Sequence, residues 1–412
     1  IKEIISMKRL LIIGASILQL PAIRCAKELG YYVGVADYDN KAIGIPYADE
    51  YFNVSTIDIE GITKTAREFK PDGIMTLGTD MPMRAIAVAT TDLGLPGISY
   101  DTAIKATDKG EMIKTFEKHG IDSPWYYIIK DEDELKAISD KLTYPCIIKP
   151  TDNAGSRGVD LVYNPEELTK AYRFSKAYSR NGAVILEEYM QGCEVSVEIV
   201  CIDESPHILA VTDKLTTSAP NFIEIGHTQH SQLDNKSLES IKELAIEAVK
   251  AVGIQNGPAH VEIMLTDKGP KMIELGARMG GGCIASHLVP LSTGIDMIKT
   301  TILLACNEKE KVDIIPKFHK GSAMRCITAT HGRLMKINGL EEAFKVEGIK
   351  DILVSKSEGD ILSEVNDNTS RLVYVISQAD TAQEAIKICE DAIDKITIDI
   401  SRCEELEHRG NS

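Results

Sequence analysis

One segment constrains this chain more than any other: His260-Val-Glu262-Ile-Met-Leu-Thr-Asp-Lys268-Gly-Pro-Lys-Met-Ile-Glu274-Leu-Gly276-Ala-Arg278. Two apolar stretches flank an Asp-Lys-Gly-Pro turn, which predicts a β-hairpin centred on Lys268. Glu262 and Glu274 are equidistant from that centre, so they face each other on one side of the hairpin, within about 5.5 Å at Cβ. Two like charges so placed repel each other. The apolar neighbours Val261, Ile263, Met264, Met272 and Ile273 argue against a solvated surface pair, and a hard cation between the carboxylates removes the repulsion. The pattern predicts a Mg²⁺ site at Glu262 and Glu274, with Mn²⁺ as a substitute ion. Arg278, four residues further on, is placed to stabilise charge developing on a phosphoryl group.

The rest of the chain supplies parts for handling phosphate. A buried stretch ends in Lys149-Pro150 and runs into Thr151-Asp-Asn-Ala-Gly155-Ser156-Arg157-Gly158 before a second apolar stretch at 160–163. A P-loop would open a helix; here the glycine loop joins two strands and can fold over phosphates as a flap, with Lys149 and Lys109 as point charges. An ordinary hairpin carrying a snorkelling lysine fits the same spacing. Downstream, Glu187-Glu188-Tyr189-Met190 forms a kink between two apolar strands, and Glu194 follows it. Such a kink can offer backbone groups to a base edge and a carboxylate to ribose hydroxyls, although acidic residues on a half-exposed strand are usually solvated.

The opening residues read as a βαβ unit: a strand from Arg9, helical spacing over 18–29, Gly30 as a stop, and a strand over 32–36. A strand at 73–77 and a helix at 83–93 extend this to an open parallel sheet up to about residue 100, and a helix over 107–119 follows. Gly14-Ala-Ser16 with Asp37 is half of a dinucleotide fingerprint, but the later glycines are missing, which argues against a nicotinamide site. Ser16 and Asp80 are the polar residues at the carboxyl ends of these strands; they suit a ligand crevice, or a helix cap and a turn. The segment 216–230, with Pro220, Gly226, His227 and His230, reads as neither a good strand nor a good helix. Its Phe222, Ile223 and Ile225 argue that it packs over the site, where Glu224 and His227 are candidate substrate contacts. The resulting fold class is α/β and α+β. Residues 7–105 form an N-terminal α/β domain, 106–310 a nucleotide-binding body with a flap at about 124–190, and 311–412 a small C-terminal α+β subdomain. Met7-Lys-Arg reads as a natural start, so 1–6 are read as leader residues.

With 46 Lys+Arg against 62 Asp+Glu, a formal charge of −16, the long-range field repels nucleic acid and anionic lipid. No apolar run is long enough for a membrane span. The nine cysteines are scattered without metal spacing and read as reduced core residues, pointing to the cytoplasm.

The order Lys109, Lys149, glycine flap, Glu-Glu-Tyr kink, Glu194, Glu262, Glu274 and Arg278 resembles the ATP-grasp superfamily over about residues 8–305. The segment from Asp213 to His227 and tail features such as Gly332-Arg-Leu and Gly339-Leu-Glu-Glu resemble the branch containing L-amino-acid ligases, with carbamoyl-phosphate synthetase large chains nearby. The resemblance implies an ATP-grasp fold. It implies that Lys109, Lys149 and the flap residues Gly155, Ser156 and Gly158 hold the ATP phosphates. Glu187 with the backbone of Glu188 to Met190 would read adenine, Glu194 the ribose, and Glu262 and Glu274 would hold Mg²⁺. Lys149 and Arg278 would be catalytic, and Ser16, Asp80, Glu224, His227 and Arg278 would meet substrate. Many relatives have Asn where this chain has Gly276, which removes a third metal ligand. The implied reaction joins small-molecule carboxylate and amine substrates through an acyl phosphate, releasing ADP and phosphate, and a homodimer is compatible with it. The alternatives are the same fold acting on bicarbonate or a purine-pathway nucleotide, and a non-catalytic nucleotide-binding protein.

Overall fold

Short apolar strands separated by capped helices build the first layer. In the computed structural model, which describes residues 7–153, 155–217, 222–365 and 368–401, β1 (Arg9–Ile13), β2 (Tyr32–Asp37), β3 (Glu50–Asn53) and β4 (Gly73–Met75) form a parallel sheet ordered β3-β2-β1-β4. Both faces of β1, β2 and β4 are covered, so these strands read as largely continuous apolar runs rather than alternating ones, while β3 at the edge is half-buried. The helix expected at 83–93 is Met83–Leu93, and that expected at 107–119 is Lys109–His119. Asp108 caps the latter by accepting from the amides of Gly110 and Glu111. The leader residues 1–6 lie outside the described residues, as do Pro220 and Cys403.

The second sheet is antiparallel and ordered β5-β8-β6-β7, built from β5 (Tyr126–Ile129), β6 (Cys146–Pro150), β7 (Asp160–Val162) and β8 (Val184–Glu188). It has its own small core of Ile129, Cys146, Ile148, Leu168, Tyr172 and Leu186. The loop joining β6 to β7 carries the glycines singled out above. Gly158 has φ +78°, and a Cβ there would lie 2.7 Å from Tyr178 Cβ, so both backbone sign and space demand glycine.

The third sheet is the largest. It comprises β9 (Cys193–Ile202), β10 (Ser205–Thr216), β11 (Glu224–Gln229), β12 (Gly257–Thr266), β13 (Gly269–Gly276) and β14 (Gly321–Thr328). After β15 (Gly332–Asn338), it is completed by β16 (Ile349–Val354) and, following β17 (Ile361–Leu362), by β18 (Arg371–Ala379). The antiparallel order is β13-β12-β9-β10-β11-β14-β18-β16. The C-terminal residues thus share this sheet, while β15, β17 and β19 (Thr397–Ser401) pair separately over a cluster including Leu334, Leu372, Val375 and Cys389. The parallel sheet and the large sheet share one core, in which Leu11, Phe69 and Phe116 meet Val197, Leu244 and Val261. Among the described residues no single helix is long and apolar enough to cross a membrane, and none of the cysteines is paired in a disulfide.

The reading of 216–230 as a non-strand is corrected here. Residues Glu224–Gln229 are strand β11, hydrogen-bonded on one side to β10 and on the other to β14. Local propensity is poor, but an interior strand is stabilised by two neighbours, and its polar side chains are satisfied. Gln229 donates to Thr212 Oγ1 and accepts from Ser292 Oγ, and Gly226 leaves room for the Arg325 side chain.

Candidate active site

The hairpin register comes first, because it determines which carboxylates can share a ligand. Glu262 of β12 and Glu274 of β13 are direct cross-strand partners, with a bulge between Glu262 and Ile263. Each is held by a cation from another element. Lys109 lies at the first turn of its helix, where its backbone amide bonds Thr151 O at 2.8 Å and its Nζ reaches Glu274 Oε2 at 2.9 Å. Lys214 of β10 places Nζ 2.9 Å from Glu262 Oε1, 2.7 Å from Glu194 Oε1 and 3.0 Å from Glu224 Oε1. With only 2% of its side chain exposed, this lysine joins the strand expected to read ribose, the hairpin expected to hold metal, and the strand expected to meet substrate.

The electrostatics follow from this arrangement. Burial pushes the Glu262 carboxyl up, but Lys214 and His260 pull it well below the usual carboxylate range. Glu274 is lowered likewise, because Lys109 outweighs burial, and Glu224 is lowered by Lys214, His227 and Arg371. Glu194 goes the other way: burial and the neighbouring Glu262 and Glu224 outweigh Lys214, and its pKa is raised. Burial disfavours charge on Lys214, yet its three carboxylates raise its pKa. Behind Glu262, His260 bridges two carboxylates, with Nδ1 2.5 Å from the fully buried Glu198 and Nε2 3.1 Å from Glu262. Burial works against its charge, but Glu198 prevails and its pKa rises to about 9.

Lys149 ends β6 and reaches Glu187 Oε2 on β8 at 2.6 Å, both side chains being nearly buried. The β6–β8 register pairs Ile147 with Glu187, so Lys149, two residues on, shares the face of Glu187. Glu188 ends β8 and accepts from Lys271 of β13 at 2.7 Å, and the Tyr189 ring lies 6.3 Å from that of Phe222. The kink thus touches the hairpin and the start of the substrate strand. Gly155, Ser156 and Gly158 lie in the loop beyond Lys149, all with positive φ.

On the opposite side, Arg278 donates to Asp80 Oδ2 at 2.8 Å, and both Asp80 Oδ1 and Arg278 Nε are buried without a partner among the described residues. A Cβ at position 276 would lie 2.3 Å from Asp80 Oδ1, so glycine, where asparagine was the expected residue, makes room for this pair. His227 is fully buried; Nδ1 lies 3.0 Å from Gly282 O, and Nε2 lies 3.4 Å from Glu224 Oε2. Ser16 is used locally: its Oγ donates to Gln19 and accepts from the Leu18 amide at the opening of the first helix. The structure therefore brings Asp80, Lys109, Glu194, Glu224, His227, Glu262, Glu274 and Arg278 into one connected set, and leaves Ser16 in its turn. Three members escaped the sequence reading, Lys214, His260 and Arg371, and a fourth, Glu198, reads from the sequence as a solvated strand residue but is fully buried. Lys214 sits in a mixed Thr-Asp-Lys-Leu-Thr stretch, so its local sequence gave no signal. For the others nothing local distinguishes a site residue from a core polar one.

The residues present suit a hard divalent cation. Among the described residues no group of three His, Cys, Asp or Glu side chains could hold a metal ion. Two facing carboxylates with orphaned polar atoms nearby match an ion that completes its shell with water and phosphate oxygens.

The profile of the ATP-grasp domain matches residues 142–286, and that of L-amino acid ligase C-terminal domain 2 matches residues 325–401. The chain is 27% identical over 320 residues to alanine–anticapsin ligase of Bacillus subtilis (strain 168), covering 72% of this chain and 67% of that one. It is 24% identical over 396 residues to phosphoribosylamine–glycine ligase of Methanocaldococcus jannaschii, covering 86% of both. The fold matches the crystal structure of L-amino acid ligase from Bacillus licheniformis with a TM-score of 0.82 at 23% identity, covering 96% of this chain and 99% of that one.

Proposed function

The chain is an ATP-grasp protein with an L-amino acid ligase C-terminal domain, and from that premise we propose that it is an ATP-dependent ligase joining a small carboxylic acid to a small amine through an acyl phosphate. The observation that carries this reading is the meeting of the two matched segments at one site: Arg371, from the C-terminal match, contacts Glu224, which shares Lys214 with Glu262 of the ATP-grasp match.

A carboxylate oxygen attacks the γ-phosphorus, and the bond to the β,γ-bridging oxygen breaks with its electron pair leaving on ADP. The amine nitrogen then attacks the acyl carbon, inorganic phosphate departs, and the nitrogen loses a proton to solvent. Glu262 and Glu274 would hold Mg²⁺, or Mn²⁺ in its place, which supplies charge neutralisation at the phosphates. The chain's own residues do the rest. Lys109 and Lys149 lie at the mouth of the glycine loop, where exchanging their carboxylate partners for phosphate oxygens retains charge-assisted hydrogen bonds. Arg278, anchored by Asp80, presents a buried cation to the transferring group. The loop at 155–158 closes over the phosphates and excludes the water that would hydrolyse the acyl phosphate.

Release of ADP and phosphate across single and paired L-amino acids, with bicarbonate as control, tests the reading. Turnover requiring two amino acids supports it. Turnover driven by bicarbonate would replace it with a carboxylase, and tight ATP binding without turnover on any substrate would leave a nucleotide-binding protein.

A further inference from the structure

Four buried cations of the site are close-paired: Lys149 at 2.6 Å from its carboxylate, Lys214 at 2.7 Å, Arg278 at 2.8 Å and Lys109 at 2.9 Å. Arg371 differs. It opens β18, its side chain is 11% exposed, and its nearest carboxylate oxygen, Glu224 Oε2, lies 3.4 Å from Nη1. Nε donates to Asn368 O at 2.9 Å, and the guanidinium sits 5.4 Å from the centre of the Tyr374 ring. Among the described residues Nη2 has no hydrogen-bond partner. The same Asn368 accepts the Glu224 amide through its side chain, so one short turn aligns Arg371 with Glu224. Glu224 is meanwhile shared with Lys214 and His227, leaving the Arg371 charge least compensated.

A planar guanidinium held by its Nε, lying over an aromatic ring and with Nη2 free, can receive a planar anion such as a carboxylate. Next to it, Gly282 has no side chain; a Cβ there would come within 3.5 Å of Arg371 Nη1 and 2.6 Å of His227 Cε1. Glycine at 282 therefore lets the His227 imidazole pack directly against this backbone, beside the guanidinium. Two carboxylates enter the proposed reaction when both substrates are amino acids. The donor carboxylate is phosphorylated beside Arg278 and the metal glutamates. The acceptor carboxylate survives into the product and needs a cation displaced from those phosphates. Arg371, on β18, is three strands beyond Lys214 of β10 in the sheet order, on the side away from Glu262 and Glu274. Resting on the ligase reading, we propose that Arg371 is a specificity-determining residue that binds the α-carboxylate of the amine substrate, making that substrate an α-amino acid rather than a simple amine.

An α-carboxamide cannot be phosphorylated, so it can enter the reaction only as the amine substrate. The test compares kcat/KM for L-alanine, L-methionine and L-phenylalanine as acceptors with kcat/KM for their α-carboxamides, which carry no other carboxylate, in the parent, Arg371→Met and Arg371→Lys. The parent should prefer each active acid over its amide by about 10- to 100-fold, the range for loss of a charge-assisted hydrogen-bonded pair. Arg371→Met should bring that ratio towards one by losing activity on the acid alone, and Arg371→Lys should retain part of it. Should the Met variant not fold, Arg371→Gln takes its place. A merely structural arginine would lower both rates together, and a ratio unchanged by the substitution, or near one in the parent, overturns the assignment. A parent without any amino-acid-dependent ADP release would overturn the ligase reading itself, and this assignment with it.

Discussion

Lys149 has one carboxylate partner, Glu187, inside a sheet that otherwise buries apolar side chains. A lysine is placed there at a desolvation cost, and the proposed function returns that cost by aiming its charge at phosphate beneath the glycine loop. Lys149→Ala should lower turnover by at least about 100-fold, comparable to loss of one preorganised transition-state donor. Near-normal ADP release from a folded variant would remove Lys149 from the mechanism. Glu274 is matched to Lys109 and faces Glu262, so Glu274→Gln keeps its shape while removing an anionic ligand. Activity should fall and the Mg²⁺ concentration for half-maximal rate should rise; saturation at the parent's concentration would show that the metal sits elsewhere. Both residues were legible in the sequence, because a lysine closing an apolar strand and two glutamates mirrored about a turn are local patterns. Lys214 was not. Its meaning lies in three carboxylates from three other strands, and no spacing along the chain brings those together.

At the scale of elements, the β12–β13 hairpin and the strand connections around it position the site. Gly192 lies between β8 and β9, and a Cβ there would come within 2.0 Å of Leu265 O and 2.8 Å of its carbonyl carbon. Backbone cannot yield as a flexible side chain does, so Gly192→Ala must push the kink off the hairpin. The expected outcome is a loss of about 2 kcal/mol in stability, within the range for overpacking, together with weaker ATP binding. Chemical denaturation and nucleotide titration would check it, and an unchanged ATP affinity would separate the kink from nucleotide recognition. Hairpins and capped helices of this kind were predictable, as with Met83–Leu93, because periodicity and caps are local. Strand β11 was not, since Gly226 and two histidines argue against a strand until β10 and β14 supply partners on both sides.

Across the whole molecule, the site is a buried charge network whose balance depends on Lys214. In metal-free protein, Glu224, Glu262 and Glu274 have lowered pKa values, so their contribution to stability is present above the ordinary carboxylate range and is lost as pH falls. Lys214→Met reverses the sign. Glu194 loses its cation, and Glu224 and Glu262 each lose one; buried and mutually repelling, these groups then bind protons more readily in the folded than in the unfolded chain. The variant should be destabilised by about 3 kcal/mol at pH 7, as for other broken buried ion pairs, and its Tm in chelator should rise from pH 7 to pH 5 while the parent's does not. Parallel Tm profiles would show that Lys214 is not the counter-cation. The sequence by itself determined the alternating layers of strand and helix, the hairpin register that sets Glu262 against Glu274, and the lysines and glycine loop suited to phosphate. These follow from periodicity, turn chemistry and charge within short windows. Only the tertiary structure decided that β14, β16 and β18 continue the large sheet, that Gly276 makes room for Asp80 and Arg278, and that Lys214, His260 and Arg371 converge on the glutamates. Those arrangements join residues separated by up to hundreds of positions, and their energies come from burial and Coulomb attraction that exist only once the sheets have closed on one another.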